Sequence, residues 1–121
     1  VGILAQINAA FQKAVGDPNM QVTYGAPTVI YVSCKNEDEE IVKGCNAGVV
    51  MENMLLEAAD LGLGAVYLFG VSQVLFANEE ITKLLQIPEG FRTVSAIAVG
   101  TSADALQERT LGTDKISTTT L

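Results

Sequence analysis

Apolar residues at Ile3, Ile7, Phe11 and Ala14 recur on one helical face, so the pattern predicts a helix stopped by Gly16 and the Asp17-Pro18 pair. No Ser, Thr, Asp or Asn stands before it as a cap. A polar connector follows. Residues 26–34, Ala-Pro-Thr-Val-Ile-Tyr-Val-Ser-Cys, are rich in β-branched and aromatic types without clean alternation, which predicts an interior strand covered on both faces. Residues 36–40 close it as a solvated loop and helix start. Their adjacent carboxylates lack the alternating spacing and glycine of a calcium loop.

The longest predicted helix runs from residue 43 or 46 to 61. Val49, Val50, Met51, Met54, Leu55, Leu56, Ala58 and Ala59 cover most of its circumference and leave only Asn53, Glu57 and Asp60 as a polar stripe. A helix apolar nearly all round belongs in a core or an interface, and Gly62 suits its left-handed terminal turn. The apolar run 64–70, bounded by glycines, predicts a buried strand or extended segment whose last glycine lets something approach the backbone. Asn78 is placed to cap a short helix with Glu79 and Glu80 in its first turn and Ile81, Leu84 and Leu85 on its inner face. A Pro88-Glu89-Gly90 turn leads into a second buried strand over residues 93–99, and residues 101–121 carry no periodicity that predicts an element.

Composition sharpens this picture. The 121 residues make one domain. They are 49% hydrophobic and only 17% charged, with a mean hydropathy of +0.33, so a large apolar face is expected to be covered by a partner subunit, a ligand or both. Seven basic against 14 acidic residues give a net charge of −7 and a pI near 4.3, and no basic stripe exists for nucleic acid. Histidine is absent, which removes Ser-His-Asp and Cys-His triads and imidazole-based zinc sites. The longest uncharged stretch, residues 61–78, holds three glycines and several polar residues and does not make a membrane span. Cys34 and Cys45 match no exchange motif and come without a signal-peptide pattern, so they are expected to be reduced, mostly buried thiols of a cytoplasmic protein.

The order of the motifs carries the functional reading. Asn46-Ala47-Gly48 leads through Glu52-Asn53-Met54-Leu55-Leu56-Glu57-Ala58-Ala59 to Leu61-Gly62-Leu63-Gly64-Ala65, followed by Ile87-Pro88-Glu89-Gly90-Phe91 and Ala96-Ile97-Ala98-Val99-Gly100. With Tyr24-Gly25-Ala26-Pro27 upstream, this succession resembles the nitroreductase family of FMN-dependent flavoproteins. The resemblance implies an α+β fold, a mixed, largely antiparallel sheet flanked by helices, and an intertwined homodimer. It also implies FMN sites at the subunit interface, fed by NADH or NADPH and drained by a nitroaromatic, quinone or similar acceptor. By position, Tyr67, Leu68, Phe69 and Gly70 would lie against the flavin ring, with the Gly70 N–H donated to flavin N5, a contact that a residue without a side chain allows. Arg109 aligns with the family's phosphate-binding cation near the C-terminus, although on the residues alone a single arginine in that tail reads as solvated surface. The frequent basic companion two residues earlier is Gln107 here, one charge fewer for the phosphate. An Arg-Ser-x-Arg type motif that such proteins carry near the N-terminus is not found before Ile3, and with Val1 in place of Met this leads us to expect a fragment or a truncated relative. Two functions follow as expectations: an FMN-dependent oxidoreductase or the C-terminal part of one, or else a truncated, flavin-free structural dimer without catalytic activity.

Overall fold

The computed structural model describes residues 2–70, 74, 78–105, 107–108 and 110–121. The first helix, α1 (Ile3–Val15), buries Ile7, Ala10 and Phe11 and starts at Gly2 without a side-chain cap. It ends as expected, with the Gly16 N–H donating to the Gln12 carbonyl at 2.8 Å. The loop after it is pinned back when the Val22 N–H donates to Asn8 Oδ1 at 3.0 Å.

Three strands form one sheet: β1 (Thr28–Lys35), β2 (Gly64–Tyr67) and β3 (Phe91–Gly100), in the order β1-β3-β2 with both pairings antiparallel. The central strand is therefore β3, and Thr93, Ser95, Ala96, Ile97 and Ala98 on it are buried. The expectation of an interior first strand is corrected here. β1 is an edge strand, its residues half-buried or exposed, with Ile30 43% exposed and a register shift between Val32 and Ser33. Its β-branched composition reports the packing of its faces, and hydrogen-bonding neighbours leave no such trace.

The long helix α2 (Glu40–Asp60) begins earlier than expected. Its N-cap, Glu39, makes no side-chain capping bond, so the first turn is held by charge instead. Glu40 accepts from Lys43 Nζ at 2.9 Å and pairs with Arg92 at the start of β3. Lys43 is buried, and its ammonium also donates to the Asn36 carbonyl at 3.2 Å. A buried lysine is tolerated because both partners satisfy it. Toward the sheet, α2 buries Ala47, Met51 and Ala58 beside Lys43. Its opposite side is exposed and still apolar, so the expected all-round hydrophobic helix resolves into one covered and one open face. The helix closes as its sequence predicts: Gly62 has φ 71° and Leu63 N–H reaches the Ala58 carbonyl at 2.8 Å.

A short helix, α3 (Glu79–Leu84), packs Ile81 onto Ile7, Ala10 and Phe11 of α1. Asn78 Oδ1 accepts from the N–H groups of Glu80 and Ile81 at 3.0 and 3.2 Å, the predicted cap. Among the described residues after Gly100 there is no helix or strand.

Lys43 first, and then Arg92, hold the Glu40 carboxyl below the usual carboxylate range. A carboxyl with a depressed folded-state pKa contributes stability above its unfolded pKa and loses it as pH falls through the folded value. Glu40→Gln should therefore lower the urea midpoint at neutral pH, and the gap to the parent chain should close on acidification through the carboxylate range. A gap of constant size would mean that the pair adds nothing through ionisation.

Candidate functional site

Strand β2 is entered through a narrow passage. Gly64 pairs with Gly100, and a Cβ at Gly64 would lie 3.0 Å from the Ser102 Cβ. Ala65, Val66 and Tyr67 then face Val99, Ala98 and Ile97 in register. The expected strand or extended run over residues 64–70 is shorter in the structure: pairing stops at Tyr67, Leu68 N–H makes one more bond to the Ala96 carbonyl at 2.8 Å, and Phe69 and Gly70 have helical backbone. Apolar periodicity cannot separate the end of a buried strand from the first turn of a helix.

The exit of the strand makes a ledge. Tyr67 is 40% exposed and Phe69 57%, while Leu68 between them is 2% exposed. Leu68 turns inward onto Ala96 and Ala98, in a cluster bordered by Ala26, Val29, Tyr31 and Val66. That anchor fixes the two aromatic rings outward, their centroids 6.0 Å apart and their planes tilted by 56°. Beyond them, a Cβ built on Gly70 would meet no atom of the described residues within 4 Å. The structure thus brings Tyr67, Phe69 and Gly70 to one exposed surface and places Leu68 beneath as its support. Arg109 lies outside the described residues, and Gln107 is exposed in the tail.

Other chemistry is sparse. The Tyr31 hydroxyl is held above its ordinary pKa by burial, so it stays neutral at pH 7 and offers no base. Cys34 is half-buried but Cys45 is exposed on α2, against the expectation of two mostly buried thiols. Among the described residues no group of three His, Cys, Asp or Glu side chains could hold a metal ion, and no helix is long and apolar enough to cross a membrane. A cleft of about 250 Å³ lies at the entry of β2, lined by Tyr24, Pro27, Gly64, Val66, Gly100 and Ser102 among others. None of the four ledge residues lines it.

The sequence matches the nitroreductase family over residues 3–101. The chain belongs to the nitroreductase family. Its fold is that of solved nitroreductases. It is similar to an FMN-bound nitroreductase from Bacteroides fragilis at 21% identity, with 97% of this chain on 68% of that one and a TM-score of 0.75. It is also similar to an FMN-bound nitroreductase from Desulfitobacterium hafniense at 19% identity, with 97% on 70% and a TM-score of 0.73. A third likeness is to an FMN-dependent nitroreductase from Clostridium difficile, at 20% identity, 97% on 71% and a TM-score of 0.68. The antiparallel sheet with its flanking helices is the α+β architecture that the motif order implied, and family membership supports an oxidoreductase. For this nitroreductase chain, the fit of a flavin rests on the ledge. Two outward aromatic rings beside a glycine are compatible with a broad planar ring, and the Leu68 side chain packs inward beneath them.

Proposed function

We propose that this nitroreductase-family chain is an FMN-dependent oxidoreductase or the C-terminal part of one. It would use NADH or NADPH to reduce nitroaromatics, quinones or similar small acceptors, and would act as a homodimer. The observation that carries the reading is the alternation at the exit of β2, where exposed Tyr67, buried Leu68 and exposed Phe69 lead to an exposed Gly70. FMN, when bound, supplies the hydride-accepting and hydride-donating chemistry.

What the chain contributes is placement. Tyr67 and Phe69 offer an apolar wall that excludes water from one side of a planar ring, and Leu68 keeps that wall rigid through its bond to Ala96 and its packing. The Gly70 N–H is assigned to flavin N5, and Arg109 to the FMN phosphate through a charge-assisted hydrogen bond. Gln107 leaves that phosphate with one cation fewer. No side-chain acid or base is assigned a role in the chemistry. Both aromatic rings of the wall remain substantially uncovered in a single chain, which favours a site completed by a second subunit.

The test is direct. The purified chain, mixed with FMN and passed over a desalting column, should retain flavin absorbance, and anaerobic addition of NADH or NADPH should bleach it. Protein eluting colourless while FMN passes separately would overturn the reading and leave a flavin-free structural dimer as the better account.

A further inference from the structure

Tyr31 stands between two packing groups. On β1 it lies opposite Ala96 in the sheet register, and its side chain packs against the cluster of Leu68, Ala96 and Ala98 beneath the ledge. The same side chain packs against Ile7, Ala10, Phe11, Val22 and Ile81, the cluster that joins α1 to α3. Among the described residues no other belongs to both. The link matters for Leu68, whose N–H makes the last bond of the β2 run, to the Ala96 carbonyl at 2.8 Å, and whose inward turn sends Tyr67 and Phe69 outward. The floor under Leu68 is small. Ala96 and Ala98 offer only methyl groups, so larger neighbours must fix the leucine, and of Ala26, Val29, Tyr31 and Val66 at the border of the cluster, Tyr31 is the largest.

We infer that Tyr31 is a positioning residue for the ledge: its ring carries the placement of α1 and α3 to the Leu68 cluster, and Leu68 in turn sets the outward stance of Tyr67 and Phe69. Close-packed interiors transmit strain because they hold few voids to absorb it. Tyr31 acts through Leu68 and is assigned no contact with a flavin, so the inference rests on the flavin reading only for its consequence in binding. The hydroxyl does not make the bridge. It is buried with no hydrogen-bond partner among the described residues, and an unmade bond of that kind subtracts from stability. Phenylalanine should therefore keep the bridge and melt no lower than the parent chain.

Amide hydrogen exchange in the chain without FMN tests this, because it reads the Leu68 N–H itself. The reference is the Leu63 N–H, bonded to the Ala58 carbonyl at 2.8 Å and outside both clusters. Tyr31→Ala should speed exchange at Leu68 relative to Leu63 by about 10-fold or more, and Tyr31→Phe should hold the parent ratio. Ile81→Ala, made on α3, should also raise the ratio in the parent chain but add little to it in the Tyr31→Ala chain, the non-additivity expected when one residue carries the link. Should Tyr31→Ala fail to fold, Tyr31→Leu, which keeps apolar bulk and loses reach, is read in its place with the same outcomes. Equal acceleration at both amides, or additive effects of the two substitutions, overturns the inference, since Tyr31 would then stabilise the fold as a whole. A chain that shows the Tyr31-dependent ratio but retains no FMN overturns the flavin reading and leaves the bridge standing. Where FMN is retained, Tyr31→Ala should raise its dissociation constant several-fold and Tyr31→Phe should not; a constant that Tyr31→Ala leaves unmoved overturns the positioning role.

Discussion

Gly70→Val is expected to weaken FMN binding roughly 10- to 100-fold, the scale of forcing 1–3 kcal/mol of overlap into a packed contact, while Phe69→Leu stays close to the parent value. The contrast follows from what each side chain meets. At Gly70 an added Cβ meets no atom of the described residues within 4 Å, so a variant that melts like the parent chain reports its lost affinity on the ligand. At Phe69 the side chain is more than half exposed and its ring meets that of Tyr67, and leucine preserves an apolar surface there. Flavin fluorescence titrated against each variant, with thermal melting to confirm folding, gives both dissociation constants. Equal losses would sink the Gly70 assignment, because the wall and not the backbone would then be holding the ring.

Where the signals are local, the sequence was easy to read. Gly16 and Gly62 close their helices and Asn78 caps the short one because each acts through the backbone of its own turn. The start of α2 was missed because it depends on Glu40 meeting Arg92, 52 positions away, and on the Asn36 carbonyl receiving a lysine that looks like a surface residue in the sequence. A Glu-Lys pair at the i, i+3 spacing was the available clue, but it is equally common on solvated helices. The edge position of β1 left no mark for a related reason, since strand order is a property of pairing and not of composition. At the candidate site, the uniformly apolar run 64–70 conceals the feature that matters, the outward turn of Tyr67 and Phe69 around an inward Leu68. Those residues were singled out through the resemblance of ordered motifs, and only packing shows which of them face a ligand.

Arg109 carries the remaining wager, and its place in the sequence rather than the described geometry supports it. If it holds the phosphate, Arg109→Ala should cost about 1.5–3 kcal/mol of FMN affinity, roughly a 10- to 150-fold rise in the dissociation constant. Riboflavin, which lacks the phosphate, should lose little. Arg109→Lys should recover part of the loss, since an ammonium keeps the charge but not the planar bidentate fork. The departure at Gln107 makes the contrast sharper: with no basic companion two residues away, little nearby charge is left to compensate, and Gln107→Lys should tighten FMN in the parent chain while leaving riboflavin unmoved. High salt should shrink the effect of Gln107→Lys more than that of Arg109→Ala if the arginine contact is the more desolvated of the two. The decisive quantity is the ratio of FMN to riboflavin dissociation constants in each variant. A ratio that Arg109→Ala leaves unchanged would return Arg109 to the solvated surface and require the phosphate to be held by another part of the assembly, with the ledge of Tyr67, Phe69 and Gly70 then standing as this chain's whole contribution to the flavin.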